Sequence, residues 1–181
     1  MNMKPLHKRI LIALAATGVA ATVGITPPEP VRAADARQLS FYHTHTRLNL
    51  DVVYYENGEY VDSALSEINR FLKDFRTGEV TNIDPHLLDL LYDLRNELDS
   101  EAPFEVISAY RSPKTNEMLR ANSSGVAKNS QHLRGTAIDV RLRGTKTRNL
   151  RDAAWEMQRG GVGYYEKSDF VHVDTGRVRR W

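Results

Sequence analysis

An α+β fold with a small, mostly antiparallel sheet flanked by packing helices is the architecture this sequence predicts. Two observations carry that reading. After an N-terminal hairpin, apolar residues recur at three and four positions through the first half of the chain, and strands with period-two alternation cluster late. No internal repeat or low-complexity tract competes with it.

From 39 to 55, "LSFYHTHTRLNLDVVYY" alternates β-branched and aromatic residues with polar ones around "THTRLN", which reads as a hairpin. In 62–76 Leu65, Ile68, Leu72 and Phe75 form one face of an amphipathic helix, with Asp62 placed to cap it. A second helix follows Asp84 as N-cap and Pro85 at its first position, with Leu87, Leu88, Leu91, Leu94 and Leu98 down one side. Then come a strand at 104–110, a short helix at 112–120 and a loop of turn formers at 121–130. "TAIDVRL" at 136–142 is a strand, 145–159 a helix, and "VGYY" and "FVHVD" are the last two strands. "RGGVGYY" lacks the spacing of a nucleotide-binding fingerprint and reads as a helix C-cap leading into a strand.

The first 33 residues are built differently: a basic start, "ILIALAATGVAATVGI", then breakers and small residues. This 16-residue apolar run is short for a bilayer span of about 20, and the pattern is that of a secretory signal peptide cleaved near Ala33, through Sec or Tat. The remaining 34–181 is the length of one domain. The whole chain carries 25 basic and 23 acidic residues; the leader removes Lys4, Lys8, Arg9, Arg32 and Glu29, leaving 21 and 22 and a net charge of −1. That balance excludes a broad nucleic-acid footprint, and the basic tail "RVRRW" reads as a solvated end. With no cysteine, disulfides, thiolate metal sites and a lipidated N-terminus are excluded. Once the leader is cleaved, nothing is expected to insert stably in a membrane, and the periplasm is the expected location.

"SQHLRGTAIDVRL" at 130–142 holds the chemistry. Thr136, Ile138, Val140 and Leu142 point one way, which leaves Asp139 on the other face beside small Ala137. His132 stands just upstream, with Gly135 allowing a turn between them. In "FVHVD", Phe170, His172 and Asp174 share a face. His132, Asp139 and His172 thus offer a zinc ion three nitrogen and oxygen donors with a fourth position for water; each taken alone reads rather as an ordinary strand or loop polar residue, and it is the set of three that points to a metal. "HTH" at 43–45 has no third donor nearby and reads as hairpin side chains, one lining a cleft, while His86 reads as solvated.

"SQHLRGTAIDVRL", "ISAYRS" and "FVHVD" together resemble the zinc peptidases of the D-alanyl-D-alanine carboxypeptidase type, the group of VanX and VanY, whose fold is shared with the hedgehog signalling domain. "GVAKNSQH", "GGVGYY" and "FVHVDTG" resemble its MepK-like murein endopeptidase branch. The resemblance implies one catalytic zinc per chain, held by His132, Asp139 and His172, and a peptidoglycan stem-peptide substrate cut at cross-links, including those between meso-diaminopimelate residues. It implies a substrate-facing role for Arg111, which would stabilise an oxyanion, and a substrate-binding role for Ser130. For the general base it points to Asp169, three residues before the last histidine, while strand alternation favours Asp174, which shares the face of His172. A D,D-carboxypeptidase and a non-catalytic zinc-containing binding module are the alternative functions within the same group.

Overall fold

The computed structural model describes residues 36–123 and 125–181; the expected signal peptide and its cleavage near Ala33 lie outside them. The elements are β1 (Arg37–His43), β2 (Asn49–Glu56), β3 (Glu59–Tyr60), α1 (Asp62–Phe71), α2 (Pro85–Glu97), β4 (Phe104–Ser108), α3 (Pro113–Asn122), β5 (Ala137–Leu142), α4 (Thr147–Glu156), β6 (Gly161–Tyr165), β7 (Phe170–Asp174) and β8 (Arg179–Arg180). Single 3-10 turns at Gln131–Arg134 and Glu166–Ser168 lead into β5 and β7.

The expected α+β fold is present, but the sheet is not small. It has eight strands among the described residues, in the order β3-β2-β1-β4-β5-β7-β6-β8. Most neighbours are antiparallel, while β1 with β4 and β6 with β8 are parallel. The two-residue strands β3 and β8 show no alternation and enlarge the sheet beyond what periodicity reveals.

Alternation sends Leu39 and Phe41, Phe104 and Val106, Ile138 and Val140, and Val171 and Val173 into one core with Ile68, Leu87, Leu91, Leu94 and Leu150 of the helices. Burying a leucine or phenylalanine of this set stabilises the fold by roughly 1.5–3 kcal/mol. A polar anchor closes one end, where Asp89 accepts from Tyr54, Tyr60 and Arg37. The residues on the opposite face of β5 and β7 include Asp139 and His172, and there the site is built.

Asp84 caps α2 as expected, accepting from His86 N at 3.0 Å, with Pro85 at the first turn. Asp62 does not cap α1: it is the first helical residue, and Val61 occupies the cap without a side-chain bond. The helix also stops at Phe71 instead of running to 76, because the Asp74 carboxylate binds Arg76 N and Ser112 N and turns the chain. Phe75 therefore leaves the helix face and stacks on His45, with ring centroids 4.0 Å apart. In "RGGVGYY" the left-handed residue after α4 is Gln158, not a glycine.

Candidate metal centre

His132 reaches the site from a single 3-10 turn. Ser130 Oγ accepts from His132 N at 3.4 Å at its start, and Gly135 closes it at φ 68°. A side chain at Gly135 would sit 2.3 Å from Asn82 O, so glycine is required there for both conformation and space. Arg111 N donates to His132 O at 3.2 Å and docks the turn on the end of β4. Asp139 and His172 come from β5 and β7, where they stand opposite each other in the antiparallel register. Adjacent antiparallel positions hold side chains about 5 Å apart at their bases, close enough for both to address one point.

The imidazole protons are assigned by their partners. His132 Nδ1 faces Ala109 O at 2.6 Å, and His172 Nε2 faces Asp174 Oδ2 at 2.8 Å. Both partners can only accept, so a neutral ring keeps its proton on that nitrogen and turns the other, bare nitrogen to the shared point. The bare atoms, His132 Nε2 and His172 Nδ1, are 3.1 Å apart and lie 3.2 and 2.9 Å from Asp139 Oδ1. With both rings neutral the three acceptors repel at this range, and positive charge held in common, whether a proton on His172 or a metal ion, removes the conflict. Donors on a tetrahedral zinc at about 2.05 Å stand roughly 3.3 Å apart, so the triangle fits one ion with little adjustment. The three side chains are 1%, 4% and 5% exposed, which withholds competing water.

The electrostatics agree with this division of roles. Burial holds His132 below the usual imidazole range, favouring its neutral, ligating form. Burial opposes the charge on His172 as well, but Asp139 and Asp174 outweigh it and raise this ring: the pocket attracts positive charge at the point where the acceptors meet. Burial opposes the charge on Asp139 too, but its contacts with His132 and His172 as positively charged partners outweigh this and hold it well below the ordinary carboxylate range, so positive charge at this point keeps it ionised.

Arg111 and Asp174 complete the support. Arg111 Nη2 donates to Asp139 Oδ2 at 2.9 Å and Nε to Ser108 Oγ at 3.1 Å, which leaves Oδ1 of the carboxylate to the metal position. Asp174 is fully buried and accepts from His172, Arg179, Gly161 N and Gly176 N. Every lone pair facing a neighbour is in use, which suits an anchor for the ligating ring.

The structure does not bring Asp169 to this group. It follows the Glu166–Ser168 turn in a left-handed conformation (φ 51°), and its carboxylate accepts from Thr147 Oγ1 at 2.7 Å at the start of α4. The side chain is 64% exposed and lines a different depression, beside Lys146 and Tyr164. His43 packs against Phe71 and Phe75, and neither it nor His45 lines the metal cleft, while His86 is exposed as expected.

A cavity of about 270 Å³ opens over the site, lined by Arg111, Ser130, His132, Tyr165, His172, Arg179 and Trp181 together with residues of the loop before the turn. Sequence reasoning missed Tyr165, Arg179 and Trp181. "RVRRW" looked solvated because a two-residue strand has no period to read, and its parallel pairing with β6 is a long-range event. The spacing of glycines in "GGVGYY" was the available signal, since a Cβ at Gly163, opposite His172, would lie 2.7 Å from the Trp181 ring.

Comparison with known proteins shows the family of the chain. The model of the family described as peptidoglycan L,D-endopeptidase MepK matches residues 31–181. Peptidoglycan L,D-endopeptidase MepK of Escherichia coli strain K12 is 39% identical over 176 residues, which is 97% of this chain and 97% of that protein. The Haemophilus influenzae protein named probable peptidoglycan L,D-endopeptidase MepK is 36% identical over 185 residues, covering 100% of this chain and 98% of its own length.

Proposed function

The chain belongs to the peptidoglycan L,D-endopeptidase MepK family and is a murein endopeptidase, and we propose that it works through one zinc ion held by His132, Asp139 and His172. The observation that carries the metal reading is the buried triangle of His132 Nε2, His172 Nδ1 and Asp139 Oδ1, 2.9–3.2 Å apart, with the other nitrogen of each imidazole turned to an acceptor behind it. Zinc in such a set supplies Lewis-acid polarisation of a peptide carbonyl and activation of water.

The protein's own groups do the rest. Asp174 keeps the proton of His172 on Nε2, so Nδ1 stays available to the ion. Arg111 has Nε and Nη2 committed to Ser108 and Asp139, and its remaining edge faces the cavity it lines. A guanidinium fixed in this way is placed to stabilise negative charge as it develops on a carbonyl oxygen. Ser130, already capping the turn, offers its hydroxyl at the cavity wall. Asp139 and Asp174 are engaged in holding the site, and no further carboxylate lines the cavity among the described residues.

The substrate is a stem-peptide cross-link of peptidoglycan, including links between meso-diaminopimelate residues, and the work is cell-wall remodelling. Residues 1–33 serve as a signal peptide that delivers the enzyme to the periplasm. No helix among the described residues is long and apolar enough to cross a membrane.

Product analysis tests the reading. Purified zinc-loaded enzyme incubated with cross-linked muropeptide dimers is expected to yield the two monomers, read by mass spectrometry. Intact dimers that lose only a terminal D-alanine would overturn it in favour of a carboxypeptidase.

A further inference from the structure

Trp181 is held more firmly than an exposed tryptophan has any structural need to be. Its N–H donates to Val162 O at 3.2 Å and its carbonyl accepts from Tyr164 N at 3.1 Å, continuing β8 along β6. The indole Nε1 donates to Tyr165 Oη at 3.0 Å. One face of the side chain lies where a Cβ on Gly163 would be, the Arg179 guanidinium stands 5.0 Å from the ring, and the His172 ring is 5.2 Å away. Yet the residue is 51% exposed and belongs to no part of the hydrophobic core. What it does form is a wall of the cavity over the metal ligands.

Tyr165 adds a second feature. Its ring stacks on Phe170 with centroids 4.5 Å apart, and its oxygen accepts from Trp181. That bond uses a lone pair and leaves the phenolic O–H to donate toward the same cavity. The cleft thus combines an apolar indole face, a hydroxyl donor and the guanidinium groups of Arg111 and Arg179. Methylenes pack on the first, a carbonyl accepts from the second, and a carboxylate pairs with the third.

We propose that Trp181, aimed by Tyr165 and Gly163, is a specificity-determining residue that packs against the aliphatic chain of the diamino-diacid residue at the cross-link. This rests on the endopeptidase reading above and deepens it. A residue with a methylene spacer ending in a carboxylate matches these groups in chemistry: spacer on Trp181, carboxylate toward the guanidinium N–H groups that the pairs with Asp139 and Asp174 leave free. The wall is indirectly tied to the metal site as well, because Arg179 beside the indole also binds Asp174, which holds His172.

The test is steady-state kinetics with zinc analysis on the zinc-loaded mature chain, using a purified cross-linked muropeptide dimer as the probe. Trp181→Ala is expected to keep one zinc per chain and to raise KM about tenfold, the scale for losing one aromatic contact, with little change in kcat. Trp181→Phe is expected to recover most of the loss, and Tyr165→Phe to raise KM by a smaller factor. An unchanged KM in Trp181→Ala overturns the inference, and so does a defect confined to zinc content or kcat, which would make the residue a support for His172. If the wild-type enzyme leaves the dimer intact, the endopeptidase reading falls and this inference with it; if wild type and Trp181→Ala cut it equally well, only the inference falls.

Discussion

Replacing Asp174 with Asn changes one atom and is expected to cost the metal site most of its affinity. Oδ1 accepts from Gly161 N at 3.1 Å, Gly176 N at 2.8 Å and Arg179 Nη1 at 3.0 Å; Oδ2 accepts from His172 Nε2 at 2.8 Å and Arg179 Nη2 at 2.7 Å. An amide has one oxygen for these two sets of donors. Keeping it on the three-donor side turns the amide N–H toward His172 Nε2, which must then accept, so the ring's proton moves to Nδ1. That is the atom that faces Asp139 and His132, and a protonated nitrogen cannot ligate. Losing such an anchor typically weakens metal binding by about 10–100-fold, or about 1.4–2.7 kcal/mol. Competition against a chromophoric chelator at pH 7.5 measures it, with activity on muropeptide dimers read at saturating zinc. Unchanged zinc affinity would refute the tautomer argument, and unchanged affinity with a rate loss of roughly 10² or more would make Asp174 the general base instead.

Arg111→Ala is expected to lose on the order of 10² in kcat, the scale for one oxyanion donor, while retaining zinc; a rate within twofold of wild type would leave it only a brace for Asp139. Asp169→Asn is expected to keep both zinc and rate within about twofold, because its carboxylate serves Thr147 at the start of α4; a loss of 10² to 10⁴ would restore it as general base. Asp74 is expected to make the fold acid-sensitive. Burial would raise its pKa, but hydrogen bonds from Thr115, Ser112 and Arg76 lower it from 3.8 to about 2. A depressed carboxylate stabilises the fold above its unfolded pKa and loses that contribution as pH falls through the folded value, here between about pH 4 and pH 2. The contribution is roughly 2 kcal/mol. Denaturant titrations of wild type and Asp74→Asn check it: the difference in stability should shrink across that window, and a constant difference would contradict the assignment.

The convergence of Asp139 and His172 in the candidate metal centre was legible because strand alternation is local. A period of two assigns Asp139 and His172 to one face whatever their neighbours do, and the antiparallel register then sets them opposite each other. The cap and leucine row of α2 were legible for the same reason. Asp169 was not, since its position depends on where β7 begins and on one left-handed residue, which alternation cannot reveal. The eight-stranded sheet was hidden because β3 and β8 are each two residues long and the parallel contact of β1 with β4 joins residues 63 positions apart, as Phe41 with Phe104. Arg179 and Trp181 were hidden by the same device, their roles arising only when β8 pairs with β6.

The most direct test of the central claim is zinc content measured beside digestion of murein sacculi, for wild type and His172→Ala, with and without a chelator. Wild type is expected to hold one zinc per chain, to release cross-linked material, to stop when chelated and to recover when zinc is restored; His172→Ala is expected to lose both metal and activity. Cross-link cleavage that persists in chelated wild type, or a dialysed His172→Ala protein that still holds one zinc per chain, would contradict the account.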